Sequence, residues 1–274
     1  MPQTNASIVL YHNNREQLKK VIDSFLATSL DVLLYLIDNS STDELRDMAD
    51  LDKRIIYTFN DANIGYGAGH NIAIRKSIEL GIEYHVVLNP DLFFEGEIID
   101  NIYNYMNSHP DVGNLMPKIL YPNGDNQYLA KLLPTPSDWL LRRFLPAKFT
   151  QDITDKFELR YTNYTDEMNV PFLSGCFMFL RTDALKEVGL FDENIFMYME
   201  DIDLNRRIHA QYRTIYYPDV SVYHEYERGS HKNFKLLRIS IESSIKYFNK
   251  WGWFFDKERK IINDRVLKET LFYK

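Results

Sequence analysis

The segment Tyr84-His85-Val86-Val87-Leu88-Asn89-Pro90-Asp91 predicts a short buried strand that stops at a proline-constrained turn. Three runs of similar form precede it, at residues 7–11, 32–37 and 54–59. Helical patterns lie between them, since apolar side chains at positions 18, 21, 22, 25 and 26 share one helix face and residues 71–80 form a second pattern closed by Gly81. This alternation predicts an α/β fold with a parallel sheet covered by helices on both faces.

Polar side chains follow directly on each of these four predicted strands. They are Tyr11 and Asn13 after the first, Asp38 after the second, Asn63 after the third, and Asn89 with Asp91 after the fourth. In open sheets of this kind, ligands bind outside the carboxyl ends of the strands. We therefore expect these side chains to meet at one rim of the sheet.

The second half of the chain begins with a change of pattern. Four prolines and an apolar patch interrupt residues 121–170, which predicts an irregular insertion or lid. Regular patterns return with a strand over 172–180, a helix from Glu200 to about residue 210, and a strand near 214–217. Residues 233–250 have the spacing of a long amphipathic helix.

Composition excludes several classes of protein. The 274 residues contain 32 Lys and Arg against 39 Asp and Glu, and the net charge of −7 argues against a nucleic-acid binder. A hydrophobic content of 45% excludes a disordered chain. Cys176 is the single cysteine, the N-terminus has no signal-peptide pattern, and no apolar run approaches the roughly 20 residues of a membrane span. These features predict a cytoplasmic protein.

Two residues are candidate metal ligands. Asp91, just past a buried strand, is placed to hold a divalent cation that also bridges a diphosphate, and the alternative is that it caps the turn. His224 follows an apolar run and has the chemistry to bind a metal or a phosphate oxygen, although packing is the commoner use of such a histidine.

Asp38 and the glycine-rich run after the third strand are candidate nucleotide contacts. The Asp38 carboxylate either accepts hydrogen bonds from a ribose or base, or caps the following helix. Gly65 and Gly67 have the G-x-G spacing of a dinucleotide fingerprint, but the third glycine position is His70. The run either brings backbone N–H groups to an anionic ligand or packs tightly against the sheet.

The acidic segment Glu200-Asp201-Ile202-Asp203 lies at a predicted helix start. The helix dipole favours acids there by roughly 0.3–1 kcal/mol each, which accounts for one or two of the three. Asp201 is a candidate general base, and Glu200 or Asp203 would hold an acceptor or a neighbouring loop. The polar side chains that follow His224 are either diphosphate contacts or solvated residues: Arg228, Ser230, His231 and Lys232.

Taken in order, these segments resemble the family 2 glycosyltransferases of GT-A fold, and within them the bacterial rhamnosyltransferase-like group. The resemblance runs from about residue 7 to residue 232. The stretches that carry it are Ser7-Ile8-Val9-Leu10-Tyr11, Leu36-Ile37-Asp38-Asn39-Ser40-Ser41-Thr42-Asp43, Asn63-Ile64-Gly65-Tyr66-Gly67-Ala68-Gly69-His70-Asn71, Leu88-Asn89-Pro90-Asp91, Phe172-Leu173-Ser174-Gly175-Cys176-Phe177-Met178 and Phe191-Asp192-Glu193-Asn194-Ile195-Phe196-Met197-Tyr198-Met199-Glu200-Asp201-Ile202-Asp203-Leu204.

The resemblance implies a Rossmann-like, mostly parallel sheet in a catalytic domain over residues 1–232. Its nucleotide-binding half would span about 1–120, the insertion about 121–170 and an acceptor half 171–232, with a helical extension over 233–274.

The resemblance also implies roles for individual residues. Asp38 would bind the donor nucleoside, Asp91 would end an Asn-Pro-Asp variant of the D-x-D motif and ligate Mg²⁺ or Mn²⁺ with His224, and Asp201 would be the base of an inverting transfer. The remaining substrate contacts would be Tyr11, Asn13, Asn63, Gly67, Asn71, Asn89, Gly175, Glu200 and Arg228.

The implied activity is transfer of a sugar from a dTDP- or UDP-sugar, with dTDP-rhamnose as the leading donor, to a glycan or lipid-linked glycan in cell-surface polysaccharide synthesis. The C-terminal helix and the aromatic residues after it would rest on the inner face of the cytoplasmic membrane, pack in a homodimer or cover the catalytic domain.

Two other functions are compatible with an α/β sheet that binds nucleotide-sugars. A nucleotidyltransferase would need a glycine-rich basic loop after the first strand, where this chain has Tyr11-His12-Asn13-Asn14-Arg15. The other alternative hypothesis is a non-catalytic sugar-binding or scaffold protein, and the presence of Asp91 and Asp201 counts against it.

Overall fold

A computed structural model describes residues 2–225 and 234–271 of the chain. Its strands are β1 (Thr4–Leu10), β2 (Val32–Asp38), β3 (Ile55–Phe59), β4 (Tyr84–Leu88), β5 (Leu92–Phe93), β6 (Val112–Leu120), β7 (Ala130–Lys131), β8 (Met168–Asn169), β9 (Phe172–Leu173), β10 (Phe177–Arg181) and β11 (Arg213–His224). The described residues form a nine-stranded sheet in the order β3-β2-β1-β4-β10-β6-β11-β5, with β8 beside β11. Strands β7 and β9 pair separately.

The sheet is mixed but mostly parallel in its first half. Strand β1 is parallel to β2 and to β4, and β2 is parallel to β3. Strand β10 is antiparallel to both β4 and β6, while β6 and β11 are parallel. The carboxyl ends of β1, β2 and β4 therefore meet at one edge, as the sequence predicts.

Helices cover both faces of this sheet. They are α1 (Arg15–Leu26), α2 (Tyr66–Glu79), α3 (Ile98–Ser108), α4 (Pro136–Phe144), α5 (Ala147–Phe157), α6 (Thr182–Val188), α7 (Glu200–His209), α8 (Phe234–Trp251) and α9 (Lys257–Thr270). Side chains of α1 and α3 pack with Ile8 and Leu10 of β1, while Ala73 of α2 packs with Val9 on the opposite face. Alternate residues of a strand point to opposite faces, so β1 is buried on both sides.

Helix α1 begins at Arg15, and Asn14 caps it. The Asn14 side chain accepts hydrogen bonds from the backbone N–H groups of Glu16 and Gln17. Leu18, Val21, Ile22 and Phe25 are the buried residues of the helix, and they belong to the predicted apolar face.

Four predicted elements differ from the structure. The strand predicted over 172–180 is divided into β9 and β10 by a turn at residues 174–176, and β11 extends to His224. The insertion is not irregular, since it contains α4 and α5. The Thr135 side chain caps α4 by accepting a hydrogen bond from the Asp138 N–H, and Pro136 occupies the first turn of this helix. Helix α2 starts at Tyr66, so Gly67 and Gly69 are helical and Gly65 is the N-cap.

The C-terminal helices are part of the core. Tyr247 and Phe248 of α8, and Ile262 and Val266 of α9, are buried in the same hydrophobic cluster as β1. Across residues 2–225 and 234–271, no helix combines the length and the apolar character that crossing a membrane requires.

Candidate active site

A cleft of about 510 Å³ brings together five of the predicted site residues, which are Asn89, Gly175, Glu200, Asp201 and His224. Asn89 directly follows β4, Gly175 lies in the turn between β9 and β10, the two acids begin α7, and His224 ends β11. Segments separated by more than 130 positions in the chain therefore meet at one cavity.

Asp201 is held by two backbone N–H groups. Its Oδ2 atom accepts a hydrogen bond from Gly175 at 2.9 Å, and its Oδ1 atom accepts one from Ile202 at 2.9 Å. Burial raises the pKa of Asp201, and these two hydrogen bonds and the charge of Lys131 act in the opposite direction. The result is an oriented, largely desolvated carboxyl group in the cleft.

Glu200 has a different environment from its neighbour. The residue is 5% exposed, and its Oε2 atom has no hydrogen-bond partner among the described residues. Burial, followed by repulsion from Asp201, raises the pKa of Glu200 well above its ordinary value. Of this pair, Glu200 is the group that holds a proton more readily.

The backbone before α7 is strained. Tyr198 and Met199 have φ angles of 67° and 72°, in the left-handed region that non-glycine residues rarely adopt. This turn places Glu200 and Asp201 at the cleft.

Asp203, the third acid of the segment, lies outside the cleft lining and makes structural contacts. It is fully buried and pairs with Arg207 at 2.9 Å and Lys250 at 2.8 Å, and its Oδ1 atom accepts a hydrogen bond from Trp251 Nε1 at 2.8 Å. Through its contacts with Lys250 and Trp251, Asp203 of α7 thus stabilises the packing of α8 against α7.

Asp91 and His224 form a close pair, with 3.2 Å between Asp91 Oδ1 and His224 Nε2. Gln127 Nε2 donates to the carbonyl oxygens of Leu120 and His224, at 3.3 Å and 2.8 Å. Gln127 Oε1 is therefore left to accept the proton of His224 Nδ1, 2.9 Å away. In the neutral imidazole this arrangement leaves the Nε2 lone pair near Asp91 Oδ1 and near the Asn89 amide nitrogen, which is 3.4 Å away.

The Asp91–His224 pair fits a divalent cation. Asp91 Oδ1 is buried and accepts no hydrogen bond within the described residues, so two electron-pair donors face each other. A carboxylate oxygen and an imidazole nitrogen suit Mn²⁺ or Mg²⁺, and Gln127 supplies the outer hydrogen bond that commonly orients a ligating histidine. Residues 2–225 and 234–271 contain no group of three or more His, Cys, Asp or Glu arranged as a metal site. Further ligands would have to come from substrate and water.

Asp38 and Asn13 line a second, smaller cavity of about 230 Å³. Asp38 Oδ1 accepts a hydrogen bond from the Ser40 N–H at 2.8 Å, and Oδ2 accepts one from the Tyr57 hydroxyl at 2.6 Å. Asn13 Oδ1 accepts a hydrogen bond from the Tyr11 N–H at 2.7 Å, and the Tyr11 side chain is half-exposed.

The two cavities are neighbours at the same edge of the sheet. Asp38 ends β2 and Asn89 follows β4, with β1 between them. Adjacent strands lie about 4.8 Å apart, so these backbone positions are separated by about 10 Å. A single extended ligand can therefore contact both.

Five predicted site residues lie outside the linings of both cavities, which are Tyr11, Asn63, Gly67, Asn71 and Asp91. Gly67 is inside α2, where an added Cβ would lie 2.7 Å from Phe191 Cβ, so this glycine packs tightly, and its predicted ligand contact stays a prediction. Asn71 is buried and donates to the Phe191 carbonyl and to Glu193, both at 2.9 Å. Asn63 is exposed and accepts the Gly65 N–H at 3.2 Å. Arg228, with Ser230, His231 and Lys232, lies outside the described residues.

Several cleft residues were not predicted from the sequence. Tyr66 Oη lies 2.9 Å from Asn89 Oδ1 and 2.7 Å from the Gly175 carbonyl oxygen. It therefore links the residue after β4 to the turn between β9 and β10. Lys131, Glu158 and Arg160 also line the cleft. They come from the segment predicted to be irregular, where no periodic pattern distinguishes a buried position.

Comparisons with known proteins agree with this fold. The sequence profile described as Glycosyl transferase family 2 matches residues 7–189. The chain belongs to this family, which confirms the class predicted from the sequence.

Within the family, the chain is similar to rhamnosyltransferases. It is 30% identical over 211 residues to N-acetylglucosaminyl-diphospho-decaprenol L-rhamnosyltransferase of Mycobacterium tuberculosis, which covers 73% of this chain and 68% of that protein. It is 24% identical over 253 residues to rhamnosyltransferase WbbL of Escherichia coli, covering 88% and 90% of the two chains.

Solved structures confirm the GT-A fold. GalNAc-T7 with UDP, GalNAc and Mn²⁺ superposes with a TM-score of 0.68 at 14% identity, over 94% of this chain and 50% of that one. The mannosyltransferase PcManGT of Pyrobaculum calidifontis, in complex with GDP-Man and Mn²⁺, gives 0.58 at 15% identity, over 91% and 64%. The chain thus spans half to two thirds of the length of these two solved chains.

Proposed function

We propose that this protein is an inverting glycosyltransferase that moves rhamnose from dTDP-rhamnose to a glycan or lipid-linked glycan acceptor in cell-surface polysaccharide synthesis. The observation that carries the proposal is the position of Asp201, oriented by two N–H groups, in the same cleft as His224 and its partner Asp91. The names of the relatives support rhamnose as the sugar.

The donor would extend across both cavities. Its nucleoside would occupy the smaller one, beside Asp38, Asn13 and Tyr11, and its diphosphate would reach the larger one about 10 Å away. Asp91 and His224 would hold Mg²⁺ or Mn²⁺, which when bound supplies positive charge next to the diphosphate.

Asp201 would act as the general base. It takes the proton of an acceptor hydroxyl as the hydroxyl oxygen bonds to the anomeric carbon, while the bond from that carbon to the diphosphate breaks and the nucleoside diphosphate leaves with the bonding electrons. Attack from the side opposite the leaving group inverts the anomeric carbon. The raised pKa of Asp201 makes the carboxylate a stronger base than an exposed aspartate.

A lipid-linked acceptor would require the enzyme to reach a membrane surface. Phe254 and Phe255, in the turn between α8 and α9, are 81% and 97% exposed, and Lys257 follows them. We infer that this turn rests on the inner face of the cytoplasmic membrane, with the aromatic rings in the interface and the lysine near anionic headgroups. Pairing of two chains through the same turn is the alternative use of this surface.

The test combines donor binding with turnover. A thermal-shift screen of nucleoside diphosphates and nucleotide-sugars, with and without Mn²⁺, should show that dTDP-rhamnose raises the melting temperature most. Asp201→Asn should keep that shift and lower kcat by about 10²–10⁴-fold, the usual contribution of a general base. Asp50→Asn, at an exposed position, is the control.

Four outcomes would contradict the proposal in part or in whole. Normal turnover by Asp201→Asn would remove the assignment of the base. A thermal shift with UDP-sugars and none with dTDP-rhamnose would replace the donor. Persistent absence of transfer and of donor hydrolysis would favour the scaffold alternative, and formation of a nucleotide-sugar from a sugar phosphate would favour the nucleotidyltransferase.

A further inference from the structure

The hydroxyl group of Tyr66 contacts two oxygen atoms at the cleft, although it carries a single proton. Its Oη atom lies 2.7 Å from the Gly175 carbonyl oxygen and 2.9 Å from Asn89 Oδ1. A hydroxyl group has one proton to donate, whereas a carbonyl oxygen and an amide oxygen can only accept. One of these two contacts is therefore left without a proton of its own.

The nitrogen side of the same amide faces the candidate cation site. Asn89 Nδ2 lies 3.4 Å from His224 Nε2, which is longer than the usual hydrogen-bond range of about 2.7–3.2 Å. Asp91 Oδ1 lies 3.2 Å from the same nitrogen and accepts no hydrogen bond from residues 2–225 or 234–271. The amide thus presents a weakly bound donor group where a cation would require atoms with free electron pairs.

Turning the Asn89 amide by half a rotation removes both mismatches. The oxygen and nitrogen of an amide exchange places with almost no change of shape. Asn89 Nδ2 then donates to Tyr66 Oη, and Tyr66 donates its proton to the Gly175 carbonyl, so both contacts become hydrogen bonds. The amide oxygen now faces His224 Nε2. Because two electron pairs would meet there without a cation, the cation and the turned amide favour each other.

The spacing of these atoms fits one ion. Neighbouring ligands of an octahedral ion at about 2.1 Å lie about 3.0 Å apart. The corresponding distances to His224 Nε2 are 3.2 Å from Asp91 and 3.4 Å from the amide atom of Asn89 that faces it. In the untuned orientation every ligand beyond Asp91 and His224 would have to come from substrate and water, whereas the turned amide supplies one of them.

Tyr66 and the backbone of Asn89 are both held firmly. The Tyr66 N–H donates to the Phe196 carbonyl at 2.9 Å, and the Tyr66 ring packs edge-on against His70 with 4.4 Å between the ring centres. The Asn89 N–H donates to the Cys176 carbonyl at 2.8 Å. With both of these parts fixed, the Tyr66 hydroxyl acts on the rotation of the Asn89 side chain.

We propose that Asn89 is a third ligand of the cation, and that Tyr66 is the positioning residue that turns the Asn89 amide oxygen towards it. This inference rests on the proposed function, in which Asp91 and His224 hold Mg²⁺ or Mn²⁺. Carbonyl oxygens of this kind suit both ions. Tyr66 itself donates no electron pair to the cation and acts only through Asn89.

The test measures Mn²⁺ binding without donor or acceptor, from the electron paramagnetic resonance signal of free Mn²⁺. Tyr66→Phe removes only the hydroxyl group and should weaken the Mn²⁺ affinity about 10-fold, the lower end of the effect of losing a group that orients a metal ligand. Tyr216→Phe is the matched control, because this buried hydroxyl also donates to a carbonyl, that of Tyr164 at 3.0 Å, and lies outside the cleft lining. It should bind Mn²⁺ as the wild type does.

Substitutions of Asn89 separate a positioning role of Tyr66 from a general structural one. A carboxylate has an oxygen at both positions, so Asn89→Asp should bind Mn²⁺ at least as tightly as the wild type. Adding Tyr66→Phe to Asn89→Asp should then have a much smaller effect than in the wild type, because no orientation has to be chosen. Asn89→Leu, which has a similar volume and no ligand atom, should lose at least as much affinity as Tyr66→Phe.

Equal Mn²⁺ affinities of the wild type and Asn89→Leu would remove Asn89 as a ligand. An equal loss from Tyr66→Phe in the wild type and in Asn89→Asp would remove the positioning role, and this comparison also decides if Asn89→Leu fails to fold. Asp91→Ala distinguishes the two proposals. If it binds Mn²⁺ as the wild type does, or if the wild type binds none, the cation site of the proposed function fails and this inference fails with it. Loss of binding in Asp91→Ala alone would overturn only this inference.

Discussion

Asp201 and Glu200 are neighbours in the chain whose carboxyl groups have different surroundings. Asp201 accepts two backbone hydrogen bonds, and the charge of Lys131 favours its ionised form. Glu200 has an unpartnered oxygen, and the charge of Asp201 disfavours its ionised form. Environment thus separates the two groups into a base and a more readily protonated acid, a separation typical of functional sites.

Replacing Glu200 with glutamine should stabilise the protein at alkaline pH. Because the folded-state pKa of Glu200 is raised, its contribution to stability is complete below the unfolded-state pKa and is lost as pH rises towards the folded-state value. The glutamine remains neutral throughout. We expect the Glu200→Gln variant to melt about 2–4 °C above the wild type at pH 8, which corresponds to about 1 kcal/mol, with a smaller difference at pH 5.

Glu16→Gln is the matched control, since this glutamate is exposed in the first turn of α1. Its melting temperature should differ from the wild-type value by a similar small amount at both pH values. A Glu200→Gln variant whose effect did not grow from pH 5 to pH 8 would contradict the raised pKa.

At the scale of elements, the acidic helix α7 is fixed from its outer side by the C-terminal helices. Arg206 of α7 pairs with Asp256, the residue that caps α9, at 2.7 Å, and its guanidinium lies 4.0 Å from the Trp251 ring centre. The two charged side chains are only 2% and 3% exposed. Together with the Asp203 contacts, this pair holds the segment that presents Asp201.

Breaking this buried pair should destabilise the whole fold. Arg206→Met leaves the Asp256 carboxylate buried without its main partner, and such changes cost about 3–5 kcal/mol. Urea unfolding should show a loss of that size, with partial recovery in the double variant Arg206→Met/Asp256→Asn, which removes both charges.

Lys260→Ala provides the comparison, because the Lys260–Asp264 pair of α9 is exposed and such pairs contribute about 0–1 kcal/mol. If Arg206→Met cost no more than Lys260→Ala, the C-terminal helices would be an appended extension, as the sequence suggests, and would not fix α7.

At the scale of the whole molecule, strand order brings the site together. Strand β1 lies between β2 and β4, so Asp38 and Asn89 reach one edge, and the antiparallel β10 brings Gly175 to the same edge. The exposed turn at Phe254 and Phe255 joins α8 to α9, and both helices pack in the same hydrophobic core as the sheet.

The membrane contact makes a prediction for the intact protein. Vesicles containing phosphatidylglycerol should co-sediment with the wild type, and the double variant Phe254→Ser/Phe255→Ser should bind at least about 10-fold more weakly. Removal of one phenylalanine from an apolar environment costs about 1.5–3 kcal/mol, and 1.4 kcal/mol corresponds to tenfold in affinity.

Leu80→Ser, at an exposed leucine after α2, is the control for a general loss of surface hydrophobicity. Equal vesicle binding by wild type and double variant would remove the membrane role of the turn. A wild-type dimer that dissociates in the double variant, with no vesicle binding in either, would assign the turn to chain pairing.

The sequence by itself determined the α/β class, the first four strands, helix α1 and the family. The class, the strands and the helix depend on the periodicity of apolar residues and on turn residues, which are local properties of the chain. The family followed from the resemblance of the ordered motifs. Asp201 could also be selected as a candidate base from the sequence, because three acids at one helix start exceed the number that the helix dipole accounts for.

The tertiary structure alone decided how each polar residue is used. Gly67 and Asn71 belong to a glycine-rich motif but pack against residue 191, because α2 approaches that loop too closely for any side chain at Gly67. Lys131 and Arg160 were not predicted from the sequence, since their position in the cleft lining depends on contacts between segments far apart in the chain. Desolvation and hydrogen-bond partners are set by those long-range contacts, so a residue's chemistry was decided only when the chain had folded.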